Sequence, residues 1–212
     1  MPNRYRARFV NSLSGFKSVN LIGTQNENQQ TNLAIFSSVV HLGANPALVG
    51  FVMRPDNGQR DTLNNIIASQ HYTINQVSNA FYRNAHQTSA RYPKEITEFS
   101  DSNLTPAYIK GVNAPFVAQS QLKYALRLKQ ILPIELNNSQ FIIGEITHVI
   151  CAENALQDDG YIDIEALQTV SVSGLDSYHL SQRLARLSYA KPDSYTSQIS
   201  LSGAKKGHNQ HD

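Results

Sequence analysis

Phe116-Val-Ala-Gln-Ser-Gln-Leu-Lys-Tyr-Ala-Leu-Arg-Leu-Lys129 decides the fold class of this 212-residue chain. Phe116, Ala118, Ser120, Leu122, Tyr124, Leu126 and Leu128 alternate with Val117, Gln119, Gln121, Lys123, Ala125, Arg127 and Lys129. A period of two places one mostly apolar and one mostly polar set on opposite faces of an extended chain, whereas a helix would scatter both sets around its circumference. After an Asn137-Asn138-Ser139 turn, Gln140-Phe-Ile-Ile-Gly-Glu-Ile-Thr-His-Val-Ile150 is again rich in strand formers. Long strands in succession with few helices predict a mainly β barrel.

Working back toward the amino terminus, Val19 to Thr24 reads as a strand, with Val19, Leu21 and Gly23 on one face and Asn20, Ile22 and Thr24 on the other. Gln25 to Gln30 reads as a hairpin loop, and the chain returns through Thr31-Asn-Leu-Ala-Ile-Phe-Ser-Ser38 and on through Val39 to Leu42. Gly43-Ala-Asn-Pro46 breaks that segment, because proline lacks the donor that a central strand needs. Ala47 to Met53 is apolar without alternation, as in a strand covered on both faces. Asp61 or Thr62 starts a helix whose stripe is Leu63, Ile66 and Ile67, and Ser78 is placed to cap a second helix reaching about Tyr92. Pro93 to Pro106 is turn-rich and reads as an excursion over a barrel rim. Further on, Asp158-Asp-Gly160 is a turn, and Thr169–Ser173 leads through Gly174 to Tyr178, His179 and the arginines Arg183 and Arg186. One domain is expected over residues 1–202, with a polar, flexible tail from 203 to 212.

A formal charge of +2 gives no large field, so nucleic acid and anionic membrane surfaces are not expected partners. No apolar run approaches the roughly 20 residues of a membrane helix, and the basic amino terminus lacks the apolar stretch of a secretory signal. Cys151 is the only cysteine; it reads as a small core residue, and a reducing cytoplasm is the expected compartment. His41, His71, His86, His148 and His179 are scattered without metal-ligand spacing, so no metal site is expected. Asp176, Ser177 and His179 contain the residue types of a catalytic triad but no nucleophile elbow, and there is neither a P-loop nor a Gly-rich dinucleotide fingerprint.

The ordered set of Thr31–Ser38, Asn45–Met53, Arg54-Pro55, Arg60-Asp-Thr62 and Asn64-Asn-Ile66, with the later Phe-Ile-Gly-Glu-type strand, resembles the flavin-reductase-like family. That resemblance, over roughly residues 15–190, implies the FMN-binding split β-barrel. It also implies FMN as cofactor and NAD(P)H as a transient co-substrate that stacks on the flavin and passes hydride to it. An NAD(P)H:flavin oxidoreductase of this kind is typically a homodimer with flavin at the subunit interface, and the reduced flavin serves a partner oxygenase or another acceptor. The alternatives are a flavin-binding protein of the same fold without turnover or, more remotely, a relative that binds another cofactor. The chemistry belongs to the flavin, so no general acid or base is named.

The implied cofactor-binding residues are Asn32, Leu33, Ala34, Ser37, Ser38, Arg54, Arg60, Thr62, Asn65 and Tyr178. Arg54 and Arg60 provide charge and forked hydrogen bonds for a phosphate, and Thr62 adds a hydroxyl at a helix start where amides point outward. Asn32, Ser37 and Ser38 lie where the family lines the ring and ribityl chain, whereas Leu33-Ala34-Ile35 is greasier than in many reductases. Tyr178 and His179 are candidates for the rim where nicotinamide enters, and Tyr178 or Arg183 for reaching a partner subunit's ligand. Taken singly, each of these residues is ordinary: a solvated arginine, a cap, a strand serine.

Overall fold

A computed structural model describes residues 1–55, 61–93 and 96–204. Its strands are β1 (Lys17–Ser18), β2 (Asn20–Gln25), β3 (Thr31–Phe36), β4 (Val40–Ala44), β5 (Ala47–Met53), β6 (His71–Gln76), β7 (Pro106–Ala107), β8 (Phe116–Val117), β9 (Leu122–Ile134), β10 (Ser139–Cys151), β11 (Val170–Ser173), β12 (Ser177–Leu180), β13 (Arg186–Leu187) and β14 (Gln198–Ile199). The helices are α1 (Asn3–Ser12), α2 (Asp61–Ser69), α3 (Tyr82–Gln87) and α4 (Glu98–Asp101). The molecule is mainly β, as expected.

Seven strands form one antiparallel sheet in the order β3-β2-β6-β9-β10-β5-β4. Its two edge strands, β3 and β4, are consecutive in the chain and separated only by residues 37–39. A link that short forces the sheet to curl until its edges meet, which makes the barrel. Ser38 stitches the seam: its Oγ accepts from the Val52 amide at 3.1 Å and donates to the Val52 carbonyl at 3.2 Å. The run from Thr31 to Leu42 is therefore two edge strands, not one continuous segment. Gly43 and Ala44 belong to β4, and only Asn45-Pro46 turns the chain into β5.

Inside the barrel, Ile22, Phe51, Leu63, Ile66, Tyr72, Ile74, Leu126 and Ile142 form one core. Outside, Leu21, Leu33, Val77, Phe81, Phe99, Leu104 and Val170 form a second core under α3 and α4. β2 lies between the two cores and is buried at every position, so its faces divide two interiors and not core from water. The Tyr72 hydroxyl is fully buried among the barrel core and has no hydrogen-bond partner among the described residues. It occupies space opened by Gly144, where an added Cβ would collide with it. Tyr72→Phe is expected to stabilise the fold by about 1 kcal/mol, the lower end of the cost of an unsatisfied buried hydroxyl. Thermal denaturation checks this, and a lower Tm would show that the hydroxyl has a partner.

Three expectations are corrected. The alternation from Phe116 to Lys129 does not form a single strand: Ala118–Gln121 turn the chain, with Ser120 Oγ donating to the carbonyls of Gln76 (2.8 Å) and Leu122 (2.9 Å). Its polar face is also partly interior, since Lys123 is buried and donates to the Val117 carbonyl at 2.9 Å. Ser78 caps no helix. Val77, Ser78 and Asn79 pair with residues 168–170, which holds the chain extended until Phe81, and α3 starts only at Tyr82. In α2 the buried residues are Thr62, Leu63, Asn65 and Ile66, while Ile67 is exposed, so one border of the inward face is polar.

Helix α1, which carries Arg4, Arg6 and Arg8, is not among the elements expected from the sequence, and none of its residues is buried. Lys17 ties its end down, donating to the carbonyls of Asn11 (3.0 Å) and Gly174 (2.7 Å), where burial and the nearby Arg54 lower the lysine's pKa. The rim excursion packs firmly: α4, with Thr97 at its N-cap, plants Phe99 in the outer core. Cys151 is half-buried beside Leu122 and Leu167, and burial raises its thiol pKa, as suits a packing role.

Candidate functional site in the barrel seam

A cavity of about 680 Å³ opens where the two barrel edges meet. One wall comes from β3 and the link after it (Asn32, Ile35, Phe36, Ser37, Ser38), and another from the end of β5 (Val52, Met53, Arg54). The start of α2 brings Asp61 and Thr62, the segment after α3 brings Ser89 to Tyr92, and β12 brings Tyr178. Residues more than 140 positions apart thus converge because the short seam link draws both edges to one place.

Of the expected site residues, Asn32, Ser37, Ser38, Arg54, Thr62 and Tyr178 border this cavity. Leu33 and Ala34 do not. The Leu33 side chain is fully buried in the outer core, and its amide donates to Glu98 Oε2 at 3.0 Å. Asn65 lies behind the wall, lining a smaller polar chamber of about 200 Å³ with Asn26, Gln30 and Thr97. Arg60 falls outside the described residues.

A polar network braces the floor. Thr24 Oγ1 accepts from Asn65 Nδ2 (3.1 Å) and from Asn32 Nδ2 (3.3 Å), and Asn32 Nδ2 also reaches Thr62 Oγ1 at 2.8 Å. Because Thr62 accepts there, its own hydroxyl proton is left for another acceptor. Arg54 is held from outside by Asn11 Oδ1, to which it donates at 3.0 Å, with its remaining donors uncommitted among the described residues. β3 is an edge strand, and Leu33 shows which way its odd-numbered amides point; by the strand period the Ile35 amide lies along the same open edge.

The sequence reading missed His86, Arg91 and Glu98, all of which border the cavity. Glu98 is the informative case. Burial raises its carboxyl pKa, and the Asp61 carboxylate adds to that rise, against the lowering pull of the Leu33 amide. A carboxyl whose folded pKa exceeds its unfolded value favours folding below the unfolded pKa, and that contribution is lost as pH rises through the folded pKa. Glu98→Gln should therefore raise Tm near neutrality, with the gain shrinking as pH falls into the ordinary carboxylate range. A gain independent of pH would contradict this.

The two rim candidates on β12 separate by strand period. Tyr178 faces the cavity, whereas His179 bonds Ser173 Oγ (2.9 Å) and Ser177 Oγ (3.2 Å) and packs on Phe16 with centroids 4.8 Å apart. Arg183 is engaged within its own chain, paired with Asp163 and with Glu165 at 3.0 Å.

The flavin reductase like domain profile matches residues 15–166, most of the chain. The chain belongs to the flavin-reductase-like family. Among solved structures it is similar to a Shewanella frigidimarina split-barrel protein provisionally described as a flavin reductase, with 51% identity, TM-score 0.87 and coverage of 90% of this chain and 94% of that one. Nitrilotriacetate monooxygenase component B of Bacillus cereus shares the fold at 19% identity and TM-score 0.78, covering 88% of this chain and 95% of that one. The flavoredoxin of Desulfovibrio vulgaris (Miyazaki F) does so at 23% identity and TM-score 0.69, covering 85% and 92%. An uncharacterized Aquifex aeolicus protein is 22% identical over 160 residues, which span 74% of this chain and 81% of that one.

Proposed function

We propose that this flavin-reductase-like protein binds FMN in the seam cavity and lets NAD(P)H reduce it, the reduced flavin serving a partner oxygenase or another acceptor. The observation that carries the reading is the cavity's division of labour. Arg54 and Thr62 both border the cavity, and Thr62 lies in the first turn of α2, where amides and dipole favour a phosphate. Small Ser37 and Ser38 and the open edge of β3 line a wall against which a flat ring can lie. The volume of about 680 Å³ falls within the ordinary range for small-molecule sites. Asp61 and Glu98 border the same cavity, so Arg54 supplies the positive charge that a phosphate there would need.

Bound flavin supplies the electron transfer; the protein binds, orients and shields it. Of the greasy Leu33-Ala34-Ile35 run, only Ile35 borders the cavity, so most of that apolar bulk lies outside the site. We further read the chain as a homodimer working in the cytoplasm. Tyr5, Phe9, Val10 and Leu13 on and after α1, and Leu184, Leu187, Tyr189 and Tyr195 near the carboxyl end, are exposed in the single chain. No helix among the described residues is long and apolar enough to cross a membrane.

The test is the absorbance spectrum of protein loaded with FMN, followed anaerobically on adding NADH or NADPH. Rapid bleaching is expected and names the preferred nicotinamide. Persistent bands would favour a flavin-binding protein without turnover, and failure to take up FMN would remove the site assignment.

A further inference from the structure

His86 is a cavity residue that neither the family resemblance nor the flavin reading uses. It lies in the last turn of α3, and its Nδ1 sits 2.8 Å from the Tyr178 hydroxyl on β12. The two rings meet nearly at right angles (centroids 5.6 Å, interplanar 86°), and Tyr178 also packs on Tyr82 at 5.3 Å. Two elements distant in the chain are thereby clamped together beside the cavity that both residues border. Burial, with a contribution from Asp176, pushes the Tyr178 phenol up to about 12, so it stays a neutral hydroxyl able to donate to Nδ1. With Nδ1 as the acceptor of that bond, the imidazole carries its ring proton on Nε2. Nε2 has no hydrogen-bond partner among the described residues.

We propose that His86, positioned by Tyr178, is the donor that the cavity offers to its second ligand, an aromatic carboxamide of the nicotinamide kind. Nε2–H donates to the carboxamide oxygen, and the Tyr178 ring, backed by Tyr82, forms the aromatic border beside which that ring settles. Tyr178 acts through His86: it sets the tautomer and ring orientation without touching the reacting atoms. The inference rests on the flavin reading, since the second ligand is the one that exchanges electrons with the flavin.

The experiment uses full-length protein loaded with FMN and titrated with oxidised NAD⁺, a nicotinamide that binds without turnover, alongside the KM for the nicotinamide that bleaches the wild type. His86→Ala should weaken NAD⁺ binding and raise KM about fivefold to tenfold, the scale of one neutral hydrogen bond. FMN affinity should stay within about twofold, since the phosphate contacts are untouched. His86→Gln should recover part of the loss, because its amide can both accept and donate. Tyr178→Phe should weaken NAD⁺ in the same direction, and the double variant should be no worse than His86→Ala alone, because Tyr178 acts through His86. Thermal melts exclude unfolding; if His86→Ala does not fold, His86→Gln and Tyr178→Phe carry the test.

Unchanged NAD⁺ binding, equal losses of FMN and NAD⁺, or additive effects in the double variant would each overturn the proposal. A wild-type protein that takes up no flavin is a different failure, visible before any variant is made, and it removes the parent reading.

Discussion

Gly23→Ala is expected to lower the melting temperature by about 6–12 °C, from a loss of about 3 kcal/mol at roughly 2–4 °C per kcal/mol for a domain of this size. Gly23 lies in β2, buried between the two cores. A Cβ there would collide with the Pro115 carbonyl oxygen and come within 2.7 Å of Thr73 Oγ1. Neither neighbour can yield cheaply. Thr73 Oγ1 donates to that same carbonyl at 2.5 Å, and the segment is pinned two residues on, where the Val117 amide donates to Asn75 Oδ1 at 2.9 Å. Asn75, fully buried, also donates to the Leu21 carbonyl at 3.1 Å, so moving Pro115 would strain β2 itself. The substitution must either spread the sheet or break a buried hydrogen bond, and both are costly. A melting temperature within about 2 °C of wild type, less than a single kcal/mol at this size, would show that the segment before β8 is looser than this bonding implies.

The second large effect is on ligand affinity. Replacing Arg54 by Ala and Thr62 by Val together should weaken FMN binding by roughly a hundredfold or more, at about 1.5–3 kcal/mol for hydrogen bonds to a charged group and about 1.4 kcal/mol per tenfold. Riboflavin, which lacks the phosphate, should bind wild type and variant with similar affinity. That contrast isolates the phosphate from the ring. Valine keeps the shape of Thr62 but removes the hydroxyl that accepts from Asn32, so part of any loss comes from the orphaned Asn32 amide. The riboflavin arm also reports that part, because it would appear with both ligands. Equal losses for FMN and riboflavin would move the phosphate elsewhere in the cavity, with Arg91 as the next residue to change.

The fold class was legible because strand alternation and apolar runs are local signals. Residues 122–134 and 139–151 form long paired strands, and α2 spans Asp61–Ser69 among the described residues. The errors lie where tertiary pairing overrides local preference. Ser78 has the composition of a cap, yet backbone pairing with residues 168–170 keeps it extended. Ile67 fits a helical stripe by spacing but faces solvent, while Asn65 is buried through its bond to Thr24.

The candidate site divides in the same way. By itself the sequence determined the residues that cluster along the chain: the polar end of β3 with Ser37 and Ser38, and the Arg54 and Thr62 that flank a turn and a helix start. Only the tertiary structure decided that these form one cavity, that Leu33 turns into the core, and that Glu98, His86 and Arg91 complete the walls. Nothing near His86 in sequence marks it, since its partner Tyr178 is 92 residues away. The physical reason is the seam. Three residues between the edge strands close the sheet into a barrel, and closure brings together side chains whose local sequences carry no record of one another.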